Sequence, residues 1–214
     1  MTENAWLSAD SPEPLLKWLQ RSKRYRLSPR KLRLLAVAFG DRAQELIADE
    51  TTRAALDYAA RLADDPSLSG QWREWMQRLT DPERLTRRSH IAVWVLRVWD
   101  ANWRANTPET SARSVAGYVE MELGATERPL QAALVQDIGG NPFRPVAFAP
   151  EWRTPTVLAL AEPAYADRAF DRLPVLADAL EDAGCDAADL LAHLRGTGPH
   201  VRGCWALDLV LGKG

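Results

Sequence analysis

The chain has 214 residues, of which 46% are hydrophobic and 26% charged, with a formal net charge of −2. That length holds one large domain or two small ones around a buried core, and the composition excludes a disordered chain. The small net charge gives no global attraction to nucleic acid or to an anionic membrane, no run approaches ~18 uninterrupted apolar residues, and two cysteines are too few for a disulfide framework.

One punctuation mark recurs along the chain. Ser11-Pro12, Ser28-Pro29, Asp65-Pro66, Asp81-Pro82, Thr107-Pro108 and Thr154-Pro155 each pair a capping residue with proline. A Ser, Thr or Asp side chain accepts from the free amides of a first helical turn. Proline at the next position loses nothing there, because its missing N–H has no helical partner. The six pairs predict six helix starts, and their irregular spacing argues against a solenoid.

The first predicted helix runs from Pro12 to about Arg21, with Leu15, Leu16, Trp18 and Leu19 on its apolar side. Residues 21–33, RSKRYRLSPRKLR, hold seven basic residues in thirteen. A second helix opens at Pro29 and carries Leu32, Leu35, Ala36 and Phe39, with Gly40 as a point of break or kink on the way to Ile47. A third covers Glu50 to Ala63, with Ala54, Ala55, Tyr58 and Leu62 at helical spacing. Residues 67–79 form a short helix with Trp72, Trp75, Met76 and Leu79 on one face. Pro82 opens a long helix to about Asn106, whose Ile91, Trp94, Val95, Leu96, Val98 and Trp99 form a wide apolar arc. Two more run from Pro108 to Leu123 and from Glu127 to Ile138.

Residues 139–153, GGNPFRPVAFAPEWR, hold two glycines and three prolines in fifteen positions and predict an extended connecting loop. Beyond it, a helix from Pro155 to about Asp167 is interrupted or begun again near Pro163. Another spans Arg172 to Ala183, with Leu173, Leu176, Ala177 and Leu180 inward and Gly184 as its stop. Asp186 caps a short helix through Leu194 that ends at Gly196, and a last helix spans Gly203 to Leu211. No run alternates with period two beyond four residues. The predicted fold is therefore all-α, an irregular bundle of about nine to eleven helices. It divides into an N-terminal helical lobe at 1–138, the loop at 139–153, and a C-terminal helical lobe at 154–214 packed on the first.

Five residues of the whole chain are Cys or His, and Cys185, His193, His200 and Cys204 fall within twenty positions. These are zinc-ligand types. A helix between Cys185 and His193 separates them by about 12 Å, which leaves His193, His200 and Cys204 as a three-ligand set. The bland alternative is two buried cysteines acting as small hydrophobes and two satisfied histidines. In the basic segment, Arg21, Lys23, Arg24, Tyr25, Arg26, Arg30 and Lys31 could meet a nucleic-acid backbone; the alternative is a solvated face paired with Asp41, Glu45, Asp49 and Glu50. Asp178, Glu181 and Asp182 lie one turn apart and read as exposed acids with Arg168 and Arg172 in reach. No GxSxG, GxGxxG, P-loop or HExxH pattern occurs. GTGPH at 196–200 reads as a Schellman-type stop and a turn. Of nine tryptophans, Trp6 and Trp152 are the candidates for contact with another lobe or a partner.

Two segments, QDIGGNPFRPV (136–146) and AFDRLPVLADALEDAGCDAADLLAHLRGTGPHVRGCWALDLVLGK (169–213), resemble the C-terminal part of an uncharacterised bacterial protein family met in many paralogues per genome. The opening MTENAWL and KLRLLA at 31–36 are similar to the same family's start. Its members carry cysteines near 36–40, where this chain has Ala36, Val37, Ala38, Phe39 and Gly40, a departure that weakens any metal role assigned to the family as a whole. RLPVLADALEDAGCDAADLLAHLR also resembles a short bacterial repeat-companion helical pair. The resemblance implies a fold unit and no reaction.

The expectation from these readings is a cytoplasmic, non-enzymatic helical interaction module that needs no cofactor and acts through a protein partner. No basic n-region and apolar run open the chain, so no secretory signal is read. The expected partner surface is Asn141, Phe143 and Arg144 in the long loop with His200 and Arg202 in the later one. Zinc stabilisation through His193, His200 and Cys204, and nucleic-acid association through residues 21–33, stand as alternatives.

Overall fold

The computed structural model describes residues 1–47, 49–81, 89–97 and 108–213, with only the backbone described at Pro108 and Glu109. Among the described residues it is 72% helical and has no strand. The helices are α1 (Glu3–Leu7), α2 (Pro12–Arg21), α3 (Pro29–Asp41), α4 (Glu50–Asp64), α5 (Trp72–Leu79), α6 (Ser89–Arg97), α7 (Pro108–Leu123), α8 (Glu127–Gly139), α9 (Pro155–Ala166), α10 (Leu173–Asp182), α11 (Ala188–Arg195) and α12 (Trp205–Leu211). Eleven of the twelve have seven residues or more, so the fold is the all-α, multi-helix one expected. No described helix is long and apolar enough to cross a membrane.

The Pro-opened starts are where the pattern put them. Pro12, Pro29, Pro108 and Pro155 begin helices, and Pro66 begins a 3-10 segment to Gln71. The caps differ in quality. Ser28 Oγ accepts from the Lys31 amide and Thr154 Oγ1 from the Val157 amide, each at 3.3 Å, whereas Ser11 makes no such bond. Pro82 and the rest of the predicted long helix on either side of Ser89–Arg97 lie outside the described residues.

By its contacts the chain divides into Ser8–Val135 and a second unit of Met1–Leu7 with Gln136–Gly214. In the first, α3 packs against α4, α6 and α7. It can do so because Leu32 and the whole run Leu34–Gly40 are buried, leaving it little polar face. Gly40 does not break the helix. A Cβ there would lie 3.1 Å from Leu56 Cδ2 and 3.3 Å from Val95 Cγ2, so its absence lets α4 and α6 approach. The face expected of α5 is shallower than predicted: Leu79 is buried, while Trp72 and Trp75 are half-buried, Trp72 donating to Leu96 O at 2.9 Å and Trp75 stacking on Tyr58 at 5.5 Å. Arg42, just after α3, grips Glu127 in the first turn of α8 with two hydrogen bonds of 2.9 Å.

In the second unit α9, α10, α11 and α12 enclose one core, with α10 against α9 and α11, and α12 against α9 and α11. Leu173, Leu176, Ala177 and Leu180 all face inward as predicted, and each leucine removed from water contributes about 1.5–3 kcal/mol. Gly184 closes α10 with a Schellman motif: its amide donates to Glu181 O and that of Cys185 to Leu180 O, both at 2.9 Å, with Gly184 at φ +85°. The stop expected in GTGPH is not of this type, because Gly196 is extended at φ −67°, ψ 163°. Nor does Pro163 interrupt α9. It forfeits one bond to Ala159, only one turn remains after it, and buried Ala161, Ala164 and Tyr165 hold that turn in place.

The short α1 escaped the pattern analysis. It exists because Trp6 is fully buried and donates from Nε1 to Gly140 O at 3.0 Å, while Gln136 Nε2 donates to Trp6 O at 2.6 Å. Trp6, read from sequence as a contact for another lobe or a partner, is thus core of this unit. Trp152 is half-buried and packs edge-on against Phe148 at 5.4 Å.

Candidate metal centre

Four elements of the second unit bring one side chain each to a common point. Asp137 lies in the last turn of α8, His193 in the last turn of α11, His200 in the loop Gly196–Gly203, and Cys204 at the N-cap of α12. Their ligand atoms lie within 4.8 Å of one another. His193 Nε2 is 3.0 Å from Asp137 Oδ1 and 3.2 Å from Cys204 Sγ. His200 Nδ1 is 3.4 Å from the same Asp137 oxygen and 4.0 Å from Cys204 Sγ. Around a tetrahedral zinc, ligand atoms bonded at ~2.0–2.3 Å stand about 3.3–3.6 Å apart. The observed spread brackets that range.

The second atoms of two of these groups are held from outside. His200 Nε2 donates to Gly196 O at 3.2 Å, and Asp137 Oδ2 accepts from the Val201 amide at 3.1 Å. A carbonyl can only accept, so the proton of neutral His200 sits on Nε2 and the Nδ1 lone pair points at a carboxylate oxygen. That arrangement is repulsive unless a proton or a cation stands between them. Metal-binding histidines are oriented by an outer hydrogen bond of this kind. Gly198 shapes the loop: at φ +92° a Cβ would come 2.9 Å from His200 N, so only glycine lets the chain turn here without moving His200.

The cluster is largely shut from solvent. Side-chain exposure is 2% for Asp137, 7% for His200 and 23% for His193, and Cys204 is fully buried. Burial alone would raise the Asp137 carboxyl, but the hydrogen bonds and charge of His193 and His200 outweigh it and hold the group below its ordinary range. Burial likewise opposes the charged form of His200, and the hydrogen bond and charge of Asp137 outweigh that too, raising its pKa. Burial and then the Asp137 charge push the Cys204 thiol well above the usual range. Without a metal, Cys204 is a protonated, hidden thiol and a poor nucleophile. A Cys–His–Asp triad is excluded by geometry as well: a triad uses the two different nitrogens of its histidine, and here Nε2 of His193 faces both the sulfur and the carboxylate.

Three of these four residues were legible as ligand types in the sequence; Asp137 was not. Its one signal was an acid in the last turn of a helix, where the dipole disfavours negative charge, between buried Leu134 and Ile138. Cys185 stands apart from the group; it is buried in the helical core next to the Gly184 turn.

The other residues singled out by sequence make local contacts. Asn141 Nδ2 donates to Glu3 Oε1 and Arg144 Nε pairs with the same oxygen, both at 2.8 Å, leaving Phe143 37% exposed. Arg202 donates to Tyr165 O and Ala166 O. In the basic segment Arg21, Lys23 and Arg24 are exposed, Arg26 Nε donates to Ser22 O, Tyr25 stacks on Trp18 at 6.3 Å, Arg30 pairs with Asp64 at 2.8 Å, and Lys31 donates its amide to Ser28. Of the acids on α10, Asp178 and Glu181 are bridged by Arg195, at 2.7 Å and 2.5 Å. Comparison with protein-family models, with curated proteins and with solved structures returns no match.

Proposed function

We propose that this chain is a helical protein stabilised by one zinc ion held by Asp137, His193, His200 and Cys204. The observation that carries the reading is the convergence of four ligand atoms of three kinds within 4.8 Å, from four separate elements. One carboxylate oxygen, two imidazole nitrogens and one thiolate form a borderline set that suits Zn(II) better than a hard cation wanting oxygen or a soft one wanting sulfur. A divalent ion cancels the charge of the carboxylate and the thiolate, and it replaces the repulsive facing of His200 Nδ1 and Asp137 with two bonds to one cation.

Four protein ligands leave no open position, the mark of a structural rather than a catalytic zinc. The protein then acts by what it holds, and we carry forward the helical interaction-module reading for that role. What supports it is Phe143, held outward in a loop that Asn141 and Arg144 anchor on Glu3. The deciding experiment is elemental analysis of protein purified without a metal-affinity step, followed by zinc titration of the chelated form. One zinc per chain is expected. A chain that neither carries zinc nor takes it up, and whose unfolding is indifferent to chelator, would leave the four residues as a hydrogen-bonded network only.

A further inference from the structure

The structure assigns to Arg202 the task of setting the affinity of this centre, although its own side chain points away from the ligands. The inference rests on the zinc reading above. Two ligands, His200 and Cys204, flank Arg202 within five positions. Three contacts hold the backbone between them in place. The Val201 amide donates to Asp137 Oδ2 at 3.1 Å, the Cys204 amide donates to Val201 O at 2.9 Å, and the Arg202 guanidinium reaches outward to the end of α9. There Nε donates to Tyr165 O at 3.4 Å and Nη2 to Ala166 O at 3.3 Å, while the guanidinium carbon lies 5.3 Å from the Tyr165 ring centre. The last carbonyls of a helix lack intrahelical partners and carry its negative end, so a guanidinium fork fits them doubly. Of these three ties, that of Arg202 alone joins the loop to α9, an element that supplies no ligand.

Cutting that tie leaves both ligands present but lets the loop between them move, and the freedom must be given up again when the ion binds. Arg202 is therefore a positioning residue. Arg202→Met keeps an unbranched apolar stem and removes both hydrogen bonds together with the guanidinium over Tyr165; Arg202→Lys keeps the charge and one donor point. Zinc affinity is read by competition with a chromophoric chelator, and the stability of each zinc-free protein by urea denaturation. The expected result is zinc binding weakened about 10- to 100-fold in Arg202→Met, in the range of outer-shell losses, with a smaller loss in Arg202→Lys and zinc-free midpoints close to wild type. Equal affinity in all three proteins overturns the assignment. So does a lowered zinc-free midpoint with unchanged affinity, which marks a purely structural contact. Should Arg202→Met not fold, Arg202→Lys decides alone, and affinity equal to wild type rejects the idea. A wild-type chain that takes up no zinc fails the parent reading instead, a different and separable result.

Discussion

Asp137→Asn separates a metal centre from a hydrogen-bonded cluster of the same residues. The carboxylate has two acceptor oxygens, one facing the Val201 amide at 3.1 Å, the other facing His193 at 3.0 Å and His200 at 3.4 Å. An amide of the same shape has one. Its oxygen can stay on the Val201 amide while its NH2 faces the imidazoles and donates to the Nδ1 lone pair of neutral His200. What the zinc-free variant loses is the charge-assisted bonding of a carboxylate that is only 2% exposed, about 1.5–3 kcal/mol of stability. The zinc-dependent part is larger. Free zinc at a thousand times Kd stabilises the native state by about 4 kcal/mol, and a neutral amide in place of the carboxylate should reduce that increment to below about 1 kcal/mol at the same zinc concentration. Urea unfolding with and without zinc reads both quantities. Trp205 is a useful fluorophore for it, since its ring centre is 5.1 Å from that of His193. If zinc stabilises Asp137→Asn as much as wild type, Asp137 is no ligand and the four-ligand centre is wrong.

Three further outcomes are expected. Cys204→Ser should lower zinc affinity by well over tenfold while Cys185→Ser leaves it unchanged, measured by chelator competition under reducing conditions; equal effects would mean the wrong cysteine has been placed in the site. Gly198→Ala and Gly184→Ala should each cost about 1–2 kcal/mol of backbone strain, but only the former, whose Cβ meets His200 N at 2.9 Å, should also weaken zinc binding. Thr154→Ala should destabilise the protein by about 1 kcal/mol through loss of its cap bond, whereas Ser11→Ala, which breaks no side-chain cap bond, should shift the urea midpoint little.

Local grammar made most of the fold readable. Ser28-Pro29 and Thr154-Pro155 state a helix start within two residues, and the leucines of α10 repeat with the helical period. What stayed hidden depends on partners distant in sequence. Helix α1 is five residues long and has no pattern of its own; it is held by a tryptophan bonded to a carbonyl 134 positions away. Pro163 was read by the rule for helix interiors, but three residues from a helix end that rule costs a single bond. The histidines and Cys204 stood out because such residues are rare here. Asp137, one of 29 acids, did not, since only its placement 56 residues upstream of His193 and beside it in space makes it special.

The spacing of the four residues also bears on the order in which the molecule is built. His193 and Cys204 are 11 positions apart with His200 between them, so an unfolded chain already carries most of a weak zinc chelate. An ion bound by these residues would lower the free energy of the denatured ensemble as well as the native one, and its net benefit would be the difference that the distant carboxylate adds. The same proximity offers a route into the fold. An ion captured early would pin α11 against the start of α12 before the rest of the unit has collapsed, and the arrival of α8 would complete its cage.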